Sequence, residues 1–203
     1  MQKTPVAIYV HIPFCKQKCL YCDFLSFCSD KEEHRSYVNN LLREIDYYKT
    51  DSIVVDSVFF GGGTPTVIET GLIEKIICKL RDSFVFNDEV EITIEANPGT
   101  VSYESLAAYK QMGINRISFG LQSADDDELK RLGRIHDFKM FEESFSMARK
   151  AGYDNINIDL IMAIPGQSIN SYERTLDKVI ALAPEHISAY SLIIEKGTPF
   201  YEM

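Results

Sequence analysis

Apolar residues recur along the chain with two alternating periods. Six short runs rich in β-branched residues, 6–12, 57–60, 90–96, 116–122, 155–164 and 186–194, read as strands. Between them lie stretches with helical spacing: 31–49, 68–84, 103–112, 138–151 and 170–182. The first of these carries Tyr37, Val38, Leu41, Leu42, Ile45 and Tyr48 on one stripe. Ser29 with Glu32, and Thr66 with Glu69, have the spacing of capping boxes, while Gly113, Gly152 and Pro184 mark helix stops. Strands alternating with helices predict βαβ units and a parallel sheet.

The strands alternate internally as well. Ile117, Phe119 and Leu121 point one way, and Arg116, Ser118, Gly120 and Gln122 the other. The same holds for Ile92, Ile94 and Ala96 against Glu91, Thr93, Glu95 and Asn97, and for Ile156, Ile158 and Leu160 against Asn155, Asn157 and Asp159. A flat parallel sheet covered on both faces reads as continuous apolar runs instead. One apolar and one polar face therefore predict helices on the outside and a polar cavity within, in a curved sheet or partial barrel. An antiparallel sheet with one wet face is the alternative, and the five intervening helical stretches weigh against it.

With 203 residues the chain is expected to form one domain, 1–203, with 45% hydrophobic and 25% charged residues typical of a globular protein. A net charge of −9 and no basic stripe argue against nucleic-acid binding. The longest apolar runs, such as 160–165, are far too short to span a membrane. The first residues, Met1-Gln2-Lys3-Thr4-Pro5, carry no signal-peptide pattern, so a cytoplasmic location is expected.

Four of the five cysteines crowd into positions 15–28. Cys15, Cys19 and Cys22 have C-x3-C-x2-C spacing directly after the first strand, so three thiolates on one loop can hold a cubane iron–sulfur cluster and leave one iron open. Lys16 and Lys18 would offset part of its negative charge. A zinc site that recruits Cys28 as fourth thiolate competes with this reading. Cys78 is expected to be a buried helix residue. Gly61-Gly62-Gly63-Thr64-Pro65 closes the second strand and lets backbone approach a ligand, although it is also a plain tight turn and does not match a P-loop. Tyr9 and His11 share one face of the first strand. His34, His136 and His186 are read as structural or surface residues.

Tyr9-Val-His-Ile-Pro-Phe-Cys15, followed by Cys19 and Cys22, resembles the radical S-adenosylmethionine (SAM) superfamily in its oxygen-independent coproporphyrinogen III oxidase-like branch. The resemblance implies an open (β/α)6 barrel, with a [4Fe–4S] cluster on the three cysteines. It also implies SAM at the open iron, cleaved by an electron from the cluster. It places Tyr9, Gly61, Gly62, Gly63, Thr64, Glu95, Gln122, Arg134 and Asp159 around SAM, with Arg134 a partner for its carboxylate. No residue is assigned to catalysis. The oxidase motif continues as Cys-Gly-Cys, whereas here Cys22-Asp23-Phe24 follows, a form similar to HemW-type heme chaperones. The short stretch before Tyr9 points the same way. That relationship implies heme or a porphyrin as ligand, an electron donor and a heme-accepting protein as partners, with coproporphyrinogen oxidation as the alternative activity. It further implies a C-terminal region beyond Met203, so these residues are expected to carry the cluster and SAM half.

Overall fold

The computed structural model describes residues 3–203; Met1 and Gln2, which belong to the stretch read above as leaderless, lie outside the described residues. Six strands, β1 (Thr4–Ile12), β2 (Ile53–Gly62), β3 (Val85–Ala96), β4 (Arg116–Gln122), β5 (Ile156–Met162) and β6 (His186–Ser191), form one sheet in sequence order. Every neighbouring pair is parallel, and β1 and β6 are the two ends. The result is the expected open, partial (β/α) barrel.

The helices α1 (Lys31–Tyr47), α2 (Thr70–Ser83), α3 (Tyr103–Gln111), α5 (Phe138–Lys150) and α6 (Ile169–Ala181) fall where the apolar spacing put them. Two short helices carry no such spacing: α4 (Asp126–Arg131) and α7 (Pro199–Glu202). The apolar faces of the strands meet the helices in one core, where Ile94, Ile117, Phe119, Ile158 and Leu160 are fully buried beside Ile73, Ile76, Leu106 and Phe141. Burial of such side chains, about 1.5–3 kcal/mol each, holds the helices on the apolar face and leaves the polar face of the sheet uncovered by them.

Several local expectations are corrected. β2 begins at Ile53 and β3 at Val85, because Val54 and Val55 pair with Val85 and Phe86 across a register shift at Asp56. β6 ends at Ser191, so 192–194 lie outside the strand, and β5 ends before Ala163, whose φ is 62°. Asp30, not Ser29, caps α1 by accepting from the Glu32 and Glu33 amides. Thr66 and Glu69 form no capping box: Glu69 is the N-cap residue without a side-chain bond, and Thr66 pairs with Thr100. Tyr48 is exposed, having passed the end of the stripe. Cys78 is also exposed, since the buried face of α2 runs through Ile73, Ile76, Ile77 and Leu80 and turns position 78 outward. Among the described residues no helix is long and apolar enough to cross a membrane.

Candidate functional site

The cysteine loop leaves β1 through Pro13 and Phe14. Phe14 is buried against Phe27, Tyr37 and His34, with ring centroids 5.6, 5.3 and 4.3 Å away. Backbone bonds from Cys15 to Phe27 and from Phe27 to Pro13 close the base of the loop. Its far side is tied to the end of α4: the Leu20 amide donates to Leu132 O, and Gln17 Nε2 to Gly133 O at 3.1 Å. On its inner side, Gly63 and Thr64 donate to Ile12 O and Phe14 O at 2.8 and 2.7 Å. A Cβ on Gly63 would sit 2.6 Å from Phe14 O, and one on Gly62, whose φ is 112°, 2.6 Å from the His11 ring. These two positions need glycine for a packing reason that is independent of any ligand.

Cys15, Cys19 and Cys22 line one cavity of about 130 Å³ together with Gly62, Gly63 and Thr64. Glu95, Gln122, Arg134 and Asp159 complete its opposite wall. Ten of the twelve residues singled out in the sequence therefore converge on one place. Tyr9 and Gly61 do not line it: Gly61 faces the rings of Tyr9 and Phe59, and Tyr9 is largely exposed beside His11. Gln122 enters the cavity through a register shift in β4 and a φ of 74°, a local kink of the kind that re-aims a side chain beside a site.

A chain of hydrogen bonds joins the two walls. Thr64 Oγ1 donates to Cys15 Sγ at 3.7 Å, and Asn97 Nδ2 donates to Thr64 Oγ1 at 2.8 Å. Arg134 Nη1 donates to Asn97 Oδ1 at 2.8 Å, and Arg134 Nη2 to the Tyr21 hydroxyl at 2.6 Å. The chain starts on the cysteine loop and returns to it two residues after Cys19. Burial pushes Tyr21 up to about 12, so it meets the guanidinium as a neutral hydroxyl. Burial also raises the Cys19 thiol, against the pull of Arg134. Arg134 Nε is buried with no partner and keeps a donor in reserve.

Two carboxylates share the polar wall. Glu95 is pushed up to about 7, first by burial and then by Asp159, while an amide bond from Gly62 opposes the shift. Asp159 is raised by burial against bonds from Asn157, Ser118 and Ser188. A pair of acids so placed suits a ligand that brings positive charge and hydroxyl donors. Past them, towards β6, lies a wider cavity of about 580 Å³ reached by Phe24, Phe59, Arg116 and Tyr190.

The donor set can be tested for fit. All five cysteines are free thiols. The sulfurs of one tetrahedral zinc site stand about 3.8 Å apart, whereas a cubane spreads them because each binds a different iron. Among the described residues no three His, Cys, Asp or Glu side chains converge on a point for one metal ion. Cys28 is turned away, donating to Lys16 O at 3.3 Å, and does not line the cavity. Three thiols around one cavity, with the fourth outside, fit a cluster better than zinc. Lys16 and Lys18 reach the carbonyls of Gly99 and Phe24.

Sequence reasoning passed over Asn97 and Tyr21. Asn97 stood on the polar face already assigned to its strand, and Tyr21 lay inside the cysteine motif. The histidines are structural in different ways: His136 is buried on Leu121 O with its pKa lowered to about 4 by burial, and His34 packs on Phe14. His186 meets Asn157, and His11 meets Leu25 O.

Comparison with known proteins places this architecture. The heme chaperone HemW of Haemophilus influenzae is 39% identical across 97% of this chain, and that of Bacillus subtilis 38% across 96%. The chain spans about half the length of these relatives, 53% and 52%. Among solved structures, the Escherichia coli coproporphyrinogen III oxidase HemN, described as a radical SAM enzyme, superposes with a TM-score of 0.88 at 30% identity. That match covers 94% of this chain and 45% of the oxidase. The family model for the radical SAM superfamily matches residues 9–179, and the chain belongs to that superfamily.

Proposed function

We propose that this chain is the cluster- and SAM-binding part of a heme chaperone of the HemW type. Membership of the superfamily implies a [4Fe–4S] cluster and SAM. Cys15, Cys19 and Cys22 hold the cluster in this reading, and Gly62, Gly63, Thr64, Glu95, Gln122, Arg134 and Asp159 surround SAM. Tyr9 and Gly61 stand beside that pocket. Bound there, the cluster supplies an open iron and one electron. Glu95 accepts from cationic or hydroxyl donors of the ligand, and Arg134 offers charge to its carboxylate through Nε or by exchanging a present partner. Phe14 and Gly63 keep the loop closed against β2.

The observation that carries the chaperone reading is Phe24, which stands where the oxidase motif has a further cysteine, in a chain 38–39% identical to curated HemW proteins. Heme as ligand, a reducing partner, a heme-accepting protein and action in the cytoplasm belong to the same proposal, as does the single domain 1–203. The test is anaerobic reconstitution followed by parallel assays of heme binding and coproporphyrinogen III conversion. Stoichiometric heme binding without decarboxylation is expected. Measurable decarboxylation replaces the chaperone with the oxidase, and one zinc without iron or sulfide removes the cluster.

A further inference from the structure

Glu128 is a carboxylate almost completely withdrawn from solvent, at 1% exposure, in a six-residue helix with no apolar stripe. A buried carboxylate is stable only if its lone pairs are used. Glu128 Oε2 accepts from Ser123 Oγ at 2.6 Å and from Gln167 Nε2 at 2.8 Å, and Oε1 accepts from Ser171 Oγ. These donors come from three places: the residue after β4, the β5–α6 loop and the first turn of α6. Thr175 extends the knot by accepting from the Ala124 amide, and Lys178 donates to Ala124 O.

The knot lies between two residues of the SAM wall. Ser123 directly follows Gln122, whose left-handed backbone aims it into the cavity. On the other side, Leu132 donates to Glu128 O and Arg134 to Leu129 O, so α4 passes rigidly into Gly133 and Arg134. The same segment supplies Leu132 O and Gly133 O to the cysteine loop. The Glu128 carboxylate is thus joined through Ser123 to the residue after Gln122, and through α4 to Arg134 and the carbonyls that support the loop.

We infer that Glu128 is a positioning residue: through Ser123 and α4 it fixes Gln122 and Arg134 for SAM without touching the ligand. The inference rests on the SAM reading above. Glu128→Gln keeps the volume but turns one acceptor into a donor facing donors. The experiment measures hydrogen exchange of residues 122–136 in the cofactor-free chain and SAM affinity in the reconstituted one, well below the melting temperature. Ile76→Val, on the buried face of α2, serves as a variant that loses stability alone. Exchange in 122–136 should rise about tenfold in Glu128→Gln with β1–β3 unchanged, and the SAM Kd should rise about tenfold at unaltered iron content. Ile76→Val should change neither. Exchange equal to wild type, or raised evenly through the chain, overturns the inference. Faster exchange confined to 122–136 in a chain whose wild type never binds SAM supports the strut and removes the SAM reading instead. If Glu128→Gln does not fold, Ser171→Ala and Gln167→Ala, each deleting one donor, should give the same pattern more weakly; no change in either overturns it.

Discussion

β4 and β6 belong to one sheet, yet six of the seven residues of β4 are buried while all six of β6 are exposed or half-exposed. The site divides in the same way. Next to the cysteine loop and β4 lies the smaller cavity, whose side chains are bound to one another through Thr64, Asn97 and Arg134. Beside β6 lies the wider one, rimmed by exposed Tyr190 and Ile193. Preorganised polar groups hold a small ligand in a fixed pose, whereas an open rim admits a large one. The two cavities share Glu95, Gln122, Arg134 and Asp159, so what differs is the wall beyond them: cross-bonded on the β1–β4 side, exposed on the β6 side.

The largest effect should come from breaking the tight side at its source. Replacing Cys15, Cys19 or Cys22 by Ala should abolish cluster assembly, and Cys28→Ala should leave it intact. Iron and sulfide analysis after reconstitution checks this, and loss of the cluster in Cys28→Ala would remove the three-thiol arrangement. Next is Arg134→Ala, which strands Asn97 Oδ1 and the Tyr21 hydroxyl. The unpaired groups lower stability in the free and the bound chain alike; the proposed charge-assisted bond to the SAM carboxylate, worth about 1.5–3 kcal/mol, is lost only from the complex, so SAM affinity should fall by roughly 10- to 100-fold. Calorimetric titration reads it, and Arg134→Lys should not restore the wild-type value, because an ammonium lacks the fork that spans both partners.

The third effect is milder and depends on pH. Glu95, held near 7, gains charge as pH rises from 6 to 8, and a ligand that pairs with the carboxylate binds the charged form. SAM affinity should therefore rise about tenfold over that interval, as the ionised fraction grows by about that factor. Glu95→Gln should bind more weakly and show a flat profile; a persisting slope would assign the titration elsewhere. On the open side, Ile193→Ala should shift stability by less than about 0.5 kcal/mol in thermal melts and leave the cluster unchanged, because the side chain is 67% exposed. A large loss there would mean that the two sides are not independent.

The alternation in β3, β4 and β5 made the sheet, its outer core and its polar lining legible from the chain alone, since period two is a local property. The gathering of three thiols at the end of β1 was legible for the same reason, as they fall within eight residues. α4 was not, because Asp126–Arg131 is short and charged and its burial depends on partners more than forty residues away, at Ser171 and Thr175. Asn97 and Tyr21 stood in plain view, but their task follows from Arg134, 37 and 113 residues distant. The helix caps failed by one residue at Asp30 because neighbouring Ser and Asp are equally good cap formers, and the backbone chooses between them.

The ring of bonds from Cys15 through Thr64, Asn97 and Arg134 to Tyr21 has a thermodynamic corollary. Its two ends are fastened to the cysteine loop, proposed above to hold the cluster, and its middle forms part of the wall proposed to meet SAM. Two binding events that order the same strut share its entropic cost, so whichever comes first lowers the cost of the other. Linkage is reciprocal: any gain in SAM affinity on cluster assembly must return as an equal gain in cluster retention when SAM is bound. A mobile arginine would allow the two ligands to come and go independently, whereas an arginine held on Asn97 and Tyr21 would, in the proposed arrangement, make each a guardian of the other.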